Sequence, residues 1–474
     1  MLASLINADD RTLDLVEDSG IQFLDKEFEL GSGIEFKKYD HGYALLSNEN
    51  EPLRLLQRDA SDRLCLGDDS SAVFDEDDPR LVCVDTVDTL AIYNGVWFPI
   101  PFYRDGSSLN YRENGPFNWV RCRVVRVLDE ARSDKKIYRA VFAFDTKVSN
   151  FKGNEYYGPL SDDVRGGSVF RFALKNASSM LTKRSTGHAW VEEWASAVYS
   201  HAVNGRIKNR SLFLSPEGLE QNLRDRVHQA HYLNMLSLLG NILQLPCIRL
   251  ISAKQAMGVS LVLDIGNSRS CGVLMEDTEQ GHFKTTSLFL RDLNAPENVY
   301  DEAFESCVEF SKPEFDYDGL SARSGREDAF IWPSLVRTGP EAVRLSSMRC
   351  GNEGSTGLNS PKRYIWNDEA KKDTEEWRFN PYSYQIPVID KRSGKMLGYA
   401  SAAFSGFTPP ASLSPVSDYI NSKGDALFAA DDLGNFHAVY SGKSTMTFML
   451  QEILLQAISQ INSCAYRFRT SYKD

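Results

Sequence analysis

An acidic residue at the end of an apolar stretch is the clearest chemical signal in this chain. Residues 259–265 are apolar apart from Ser260 and Asp264, a polar turn follows, and residues 271–275 are again mostly apolar. This order predicts a buried strand, a tight turn and a second strand. It would gather the Asp264 carboxylate and several backbone N–H groups around one point, where a phosphate and its metal ion can bind.

The residues of the turn have distinct predicted roles. Asp264 can hold a hydrated Mg²⁺, because magnesium keeps several of its waters and takes few protein oxygens. Gly266 allows the backbone to approach a phosphate closely, and the N–H groups of residues 267–269 can form a small anion-binding concavity. The hydroxyls of Ser268 and Ser270 are further donors. An ordinary hairpin turn explains the same residues, so their spacing alone leaves both interpretations open.

Two further segments contain residues that can contact phosphate. Lys362 lies between a polar and an aromatic stretch and can reach a terminal phosphate as a point charge; an ordinary surface lysine is the alternative. Residues 441–445 resemble a P-loop, but His437 occupies the position of the glycine that a P-loop requires. We therefore interpret residues 441–445 as a loop that ends in a helix cap.

Composition limits the class of protein. The 474 residues carry a net charge of −12 and are 42% hydrophobic, which is typical of a globular chain with two to four domains. The acidic balance disfavours nucleic acid as a partner. There is no apolar run long enough to span a membrane, no signal peptide is recognisable, and the eight cysteines are scattered. These features predict a cytoplasmic protein without a structural metal.

We predict an α/β protein in three segments that position the candidate site. A β-rich domain is expected at 1–205, a helical connector at 206–257, and strands, loops and a long final helix at 258–474. The final helix is predicted to be capped by Ser444 or Thr445. Its predicted apolar face contains Met446, Met449, Leu450, Ile453, Leu454, Ala457, Ile458, Ile461 and Ala465.

Several predictions concern individual elements. Residues 118–127 alternate as a half-exposed strand does, residues 330–337 are predicted to form an edge strand, and a helix is expected to start near Gly339. The acidic residues from Asp292 to Asp328 are predicted to form a solvated insert. The β-rich assignment depends on short apolar runs at Ile21–Leu24, Tyr43–Leu46, Leu81–Val84 and Leu90–Tyr93.

Together these segments resemble the actin/Hsp70/hexokinase superfamily of ATPases over residues 258–474. The strand-turn-strand at 264–273 looks like the first phosphate loop of that superfamily, and Pro361–Ile365 resembles the segment whose lysine contacts the terminal phosphate. The region from Pro333 to Ala342 resembles an Hsp70-type strand and helix. Over nearly its whole length the chain resembles the virulence factor SrfB family, through Ser19–Asp25, Ser360–Tyr364 and Met446–Leu450.

The resemblance implies a partial actin/Hsp70-like (RNase H-like) core that binds ATP and Mg²⁺. Asp264 would hold the metal, and Lys362 would neutralise the terminal phosphate, which makes these two the implied catalytic residues. Phosphoryl transfer needs little beyond such positioning and charge. The implied cofactor-binding residues are Gly266, Asn267, Ser268, Arg269 and Ser270.

Some features of the family pattern are missing. No second phosphate loop follows the final helix, the glycine-rich adenosine segment is absent, and Arg269 replaces a smaller or aromatic residue. SrfB proteins are about twice as long, so we expect an N-terminal half that is inactive as an ATPase by itself. The alternative is a non-catalytic scaffold with a degenerate ATPase-like core. In either case the expected partners are other bacterial proteins, among them those encoded with SrfB.

Overall fold

The structure, a computed structural model, describes most of the chain and divides it into two compact units. The first unit contains residues 12–18 and 22–252, and the second contains residues 19–21 together with those from 258 onward. The described residues are 12–30, 39–66, 69–105, 115–127, 136–149, 158–172, 174–182, 189–205, 217–243, 245–252, 258–277, 283–311, 313, 315, 330–334, 336–347, 358–366, 384–389, 396–402 and 442–469.

The first unit is rich in strands, as predicted. Its strands form three sheets, ordered β1-β13-β12-β9, β2-β11-β10-β8 and β6-β5-β4-β3-β7, in which β1 and β13 are parallel. The strand bounds are β1 Thr12–Val16, β2 Ile21–Leu30, β3 His41–Leu45, β4 Arg54–Arg58, β5 Leu64–Leu66, β6 Asp69–Phe74, β7 Leu81–Asp85, β8 Trp97–Pro99, β9 Phe102–Arg104, β10 Val120–Val127, β11 Lys136–Asp145, β12 Val169–Phe172 and β13 Cys247–Ile251.

Helix α5 (Val227–Ile242) is buried nearly all round within the first unit. Its residue Asn234 packs so closely on β3 that a Cβ added at Gly42 would lie 2.3 Å from the Asn234 side chain. The Asn234 amide donates to the hydroxyls of Thr86 and Thr89 at 3.2 and 3.0 Å. The helices of this unit are α1 Thr86–Tyr93, α2 Ser161–Gly166, α3 Ala189–Gly205, α4 Glu217–Arg224 and α5 Val227–Ile242, with a 3₁₀ helix at Leu174–Leu181.

Two sequence predictions in the first unit are wrong. The run Leu90–Tyr93 belongs to helix α1, because the Asp85 carboxylate accepts hydrogen bonds from the N–H groups of Val87 and Asp88 and so caps a helix start. In strand β10 the residues Val120–Val124 are buried on both faces and Arg126 is exposed, so the strand is not half-exposed along its length. Arg121, fully buried, donates to the Asn118 side chain at 2.5 Å.

The second unit begins with the predicted meander. Strands β14 (Val259–Ile265), β15 (Arg269–Asp277) and β16 (Phe283–Ser287) pair in order as an antiparallel sheet. The remaining elements are β17 Leu290–Arg291, β18 Val299–Tyr300, β19 Phe304–Glu305, β20 Cys307–Phe310, β21 Val336–Thr338, α6 Gly339–Ser347, β22 Leu358–Asn359, a 3₁₀ helix Pro361–Tyr364, β23 Tyr384–Ile389, β24 Met396–Ala402, α7 Gly442–Asn462 and α8 Cys464–Arg469.

Helix α7 covers only one face of this sheet. The core there contains Leu261, Leu263, Ile265 and Leu274 of the sheet and Phe448, Met449, Ile453 and Ala457 of the helix. On the outer face Val262 is 52% exposed, and Asp264 and Cys271 are also exposed. The prediction of a buried strand at 259–265 is therefore right for one face and wrong for the other.

Polar side chains of α7 fix the helix to its surroundings. The amide of Gln460 accepts from the Phe289 N–H at 3.1 Å and donates to the Ser287 carbonyl at 2.9 Å, so it bonds the backbone as a neighbouring strand would. About two turns earlier lies the buried carboxylate of Glu452. It accepts from the Arg337 guanidinium at 3.1 Å and from the Trp332 indole at 2.8 Å. Arg337 and Glu452 are 0% and 1% exposed, so water does not screen this ion pair.

The structure corrects several predictions in the second unit and confirms one. Helix α6 starts at Gly339 as predicted, but only Val336–Thr338 of the expected edge strand is a strand. Asp292 is fully buried and bonded to Arg344 at 2.7 Å, so the acidic insert is not solvated at its start, whereas Asp301 and Glu302 are exposed. Leu454 and Ile458 of α7 are each 48% exposed, outside the core. Among the described helices, none combines the length and the apolar character that crossing a bilayer would need.

The predicted cap of helix α7 also needs correction. The helix begins at Gly442, so Ser444 and Thr445 lie inside its first turn and do not precede it as a cap. His437, the residue that departs from the P-loop pattern, falls outside the described residues, as does most of the loop region before α7.

Candidate functional site

The turn between β14 and β15 is closed by its own backbone. Ile265 and Ser270 form the last pair of the two strands, and the Gly266 N–H donates to the Arg269 carbonyl at 3.0 Å. A Cβ added to Gly266 would lie only 2.3 Å from that carbonyl oxygen. A contact this short is not compatible with a side chain, so the turn requires glycine at this position.

The turn presents two N–H groups that are available to a ligand. Asn267 and Ser268 are exposed, and within the described part of the chain neither backbone N–H donates a hydrogen bond. Gly266, the third predicted phosphate contact, uses its N–H to close the turn. Two adjacent N–H groups at an exposed tight turn can form a small concavity of positive potential, which is where anions bind to protein backbones.

Asp264 lies beside this turn on the exposed outer face of the sheet. The strand alternates, so Leu263 and Ile265 enter the core and the Asp264 carboxylate faces solvent. Its cross-strand neighbour is Cys271, which is also exposed. No ion pair engages Asp264 among the described residues, and its carboxylate is accessible to a hydrated cation.

Lys362 is brought to the same turn from almost one hundred residues away. Its ammonium donates to the Ile265 carbonyl, with an Nζ–O distance of 2.6 Å. Because Ile265 directly follows Asp264, the structure places the ammonium at the end of the strand that carries the carboxylate. An ammonium has three donors, and this hydrogen bond uses one.

A short relay of backbone hydrogen bonds holds the lysine segment against the turn. The Ser306 N–H donates to the Ser268 carbonyl at 2.8 Å, and the Ser360 N–H donates to the Ser306 carbonyl at 2.7 Å. Ser360 adopts the left-handed conformation, with φ 56° and ψ 54°, immediately before the 3₁₀ helix that contains Lys362. A non-glycine residue in this conformation costs roughly 1–2 kcal/mol, which the surrounding contacts must offset.

The side chains of Arg269 and Ser270, the remaining predicted cofactor-binding residues, each lie next to another side chain. Ser270 is buried, and its hydroxyl lies 2.8 Å from the Ser306 hydroxyl, on the core side of the sheet. Arg269 is mostly exposed, and its guanidinium lies 3.7 Å from the Glu305 carboxylate. The structure therefore places the Lys362 ammonium at the end of strand β14, next to the turn, and directs the Ser270 side chain to the interior.

Sequence reasoning missed Ser306 and Ser360, which connect the turn to the lysine. Both act through backbone atoms and are distant in sequence from Gly266, so no local pattern marks them. The left-handed Ser360 before Pro361 is also invisible in the sequence, since serine is not typical of that conformation.

The thiols of Cys271 and Cys307 in the second unit differ in exposure. Burial, together with the neighbouring carboxylates of Glu305 and Glu309, raises the pKa of the Cys307 thiol to about 12. Cys307 also lies 3.5 Å from the Gly339 carbonyl, which its thiol faces. Cys271 is exposed beside Asp264, so it is the accessible thiol at the candidate site.

The donor set at the turn suits magnesium held mainly by water and phosphate. Among the residues that the structure describes, no group of three His, Cys, Asp or Glu side chains is placed to bind a metal. A single exposed carboxylate next to backbone N–H groups can nevertheless hold hydrated Mg²⁺ together with a phosphate. The residues present therefore fit a magnesium ion that arrives with its ligand.

Comparison with known families identifies the chain. The model of the family described as virulence factor SrfB matches residues 1–474, which is the entire sequence. The chain belongs to the virulence factor SrfB family. It is thus a virulence-associated protein of bacteria, as the resemblance implied. No curated protein and no solved structure matches this SrfB family member.

Proposed function

We propose that this SrfB family member binds a magnesium–nucleotide, with ATP as the expected ligand, at the turn between β14 and β15. The observation that carries the proposal is the 2.6 Å hydrogen bond from Lys362 to the Ile265 carbonyl. It joins the predicted phosphate-neutralising cation to the turn that presents two available N–H groups. An actin/Hsp70-like core for the second unit is part of the same proposal.

Each residue has a role that its surroundings allow. The N–H groups of Asn267 and Ser268 would contact phosphate oxygens, and the remaining donors of Lys362 would neutralise the outermost phosphate. Asp264 would accept hydrogen bonds from water molecules bound to Mg²⁺. These contacts are all made by exposed groups, so we propose that closure around the phosphate and any hydrolysis depend on further protein surface. Such a nucleotide is a cytoplasmic ligand, and we place the protein there.

Calorimetric titration with Mg-ATP tests the proposal. Asp264→Ala and Lys362→Ala should each weaken binding roughly 10- to 100-fold, because a hydrogen bond to a charged group contributes about 1.5–3 kcal/mol. The control is Lys136→Ala, which removes an exposed lysine from β11. Equal Mg-ATP affinity in the wild type and both site variants would reject the proposal and favour the non-catalytic scaffold.

A further inference from the structure

An exposed tryptophan lies four residues after Lys362. Trp366 is 90% exposed, although tryptophan carries one of the largest apolar surfaces of any side chain. The other described tryptophans are each no more than 9% exposed; they are Trp97, Trp119, Trp190, Trp194 and Trp332. Together with the exposed side chains of Tyr364 and Ile365, Trp366 forms an apolar patch, and exposed apolar patches mark interaction and ligand-binding surfaces.

The tryptophan is tethered to the candidate phosphate site. Pro361 is buried, and the relay through Ser306 fixes the start of the segment on the turn. Trp366 lies four positions after Lys362, within a 3₁₀ helix and the turn that follows it, so a rise of about 2 Å per residue places the two backbones roughly 8 Å apart. One nucleotide can contact both side chains across that separation, because its phosphates lie at one end and its flat base lies at the other.

The surroundings of Trp366 favour a small ligand over a protein partner. Tyr364 and Ile365 are 37% and 42% exposed, and the adjacent Lys362 and Arg363 are exposed cations. Three partly apolar side chains in one short segment provide far less than the roughly 800 Å² that each side of a stable protein interface buries. A planar π-system needs only the face of the ring, and the two cations suit a ligand that carries negative charge.

We propose that Trp366 stacks on the base of a nucleotide whose phosphates are held by the turn and Lys362. This inference rests on the proposed function and adds the residue that contacts the base, which distinguishes a nucleoside polyphosphate from inorganic polyphosphate or a phosphorylated sugar. Stacking on an aromatic ring contributes about 1–3 kcal/mol per base and does not depend strongly on which base is present. ATP and GTP should therefore bind with similar affinity.

Paired titrations with Mg-ATP and with magnesium tripolyphosphate test the inference, because only ATP has a base. Trp366→Ala should weaken Mg-ATP about 5- to 100-fold and leave tripolyphosphate unchanged. Trp366→Phe should retain most of the ATP affinity, since phenylalanine keeps an aromatic face. Ile365→Ala is the matched control, because it removes the adjacent exposed apolar side chain and should change neither affinity.

The outcomes separate this inference from the proposed function. If tripolyphosphate binds but Trp366→Ala leaves Mg-ATP affinity unchanged, or weakens both ligands equally, the stacking role is wrong and the phosphate site stands. If the wild type binds neither ligand, both proposals fail. Trp366 is exposed, so unchanged circular dichroism and thermal midpoint should accompany its substitution.

Fluorescence gives an independent measurement of the same contact. Stacking of a base on Trp366 should quench tryptophan emission when Mg-ATP is added to the wild type. The quenching should be absent in Trp366→Phe at ligand concentrations that saturate it by calorimetry. Equal quenching in both proteins would contradict the inference, because the signal would then come from another tryptophan.

Discussion

At the scale of single residues, Gly266 shows how closely the backbone is packed at the candidate site. Its N–H closes the turn onto the Arg269 carbonyl, and the same carbonyl blocks the space in which a Cβ would lie. The glycine is thus required by the turn itself, whether or not a phosphate binds. This separates a structural requirement from a functional one at the same position.

Gly266→Ala should lower the free energy of unfolding by about 1–3 kcal/mol, because the turn must open to admit the methyl group. Gly258→Ala is the matched control, since nothing lies within 4 Å of a Cβ built at Gly258 just before the same strand. Urea denaturation of the two variants measures the difference. Equal stabilities would show that the turn accommodates a side chain.

The exposed thiol of Cys271 should be the most reactive described cysteine. Burial raises the pKa of Cys83 to about 11 and that of Cys307 to about 12, so these thiols stay protonated and inaccessible. Alkylation with iodoacetamide, followed by peptide mass spectrometry, should label Cys271 first. Saturating Mg-ATP should slow that labelling, because Cys271 is the cross-strand neighbour of Asp264. Cys464 serves as the internal control for protection.

At the scale of elements, helix α7 depends on polar side chains as well as on its apolar face. The Gln456 amide accepts from the Arg291 N–H at 3.2 Å and donates to the Arg291 carbonyl at 3.0 Å. One turn later, the Gln460 amide bonds the backbone of Phe289 and Ser287 in the same way. Four residues apart, these two amides share one face of the helix. The helix therefore supplies hydrogen bonds to a backbone segment that would otherwise need another strand.

Glu452→Gln should destabilise the protein by about 3–5 kcal/mol, because it leaves the charge of the fully buried Arg337 uncompensated. The matched control is Asp162→Asn, which breaks an exposed pair with Arg165 and should cost at most about 1 kcal/mol. Chemical denaturation gives both values. A loss in Glu452→Gln no larger than in the control would show that water reaches the pair.

Helices and strands were predicted correctly where consecutive residues carry the pattern of the element. The prediction was wrong where residues outside the segment determine its secondary structure. Strand β14 has the predicted bounds because its apolar run and the glycine turn directly after it are visible in consecutive positions of the sequence. The run Leu90–Tyr93 has the composition of a strand, but the Asp85 cap at its start selects a helix. The hydrogen bond from Lys362 to the Ile265 carbonyl was not predicted, because it joins segments that are distant in sequence; the prediction was only that Lys362 would reach a terminal phosphate.

At the scale of the whole molecule, stability should depend on pH through a buried histidine of the first unit. Burial lowers the pKa of His231 to about 3, and its Nδ1 lies 2.9 Å from the Thr89 hydroxyl. The folded protein therefore keeps His231 neutral at pH values at which the unfolded chain, with a pKa near 6.5, accepts a proton. Protonation favours the unfolded chain as the pH falls below about 6.5.

Wild-type protein should lose about 2 kcal/mol more unfolding free energy than His231→Gln between pH 7.5 and pH 5. The estimate follows from about 1.4 kcal/mol per pH unit below the unfolded pKa. His201→Gln, at an exposed position of α3, should retain the wild-type dependence. Urea titrations at the two pH values measure the slopes, and parallel behaviour of all three proteins would refute the assignment.

The close approach of Asn234 to Gly42 has a consequence for how this sequence can vary. The Asn234 side chain is buried and held by Thr86 and Thr89, so it cannot swing aside to admit even a methyl group. A saturation library at codon 42 should therefore recover glycine alone, although the position lies within a strand, where glycine is ordinarily disfavoured. Alanine there should become tolerable only in a background that also shortens residue 234, which makes the two positions an epistatic pair.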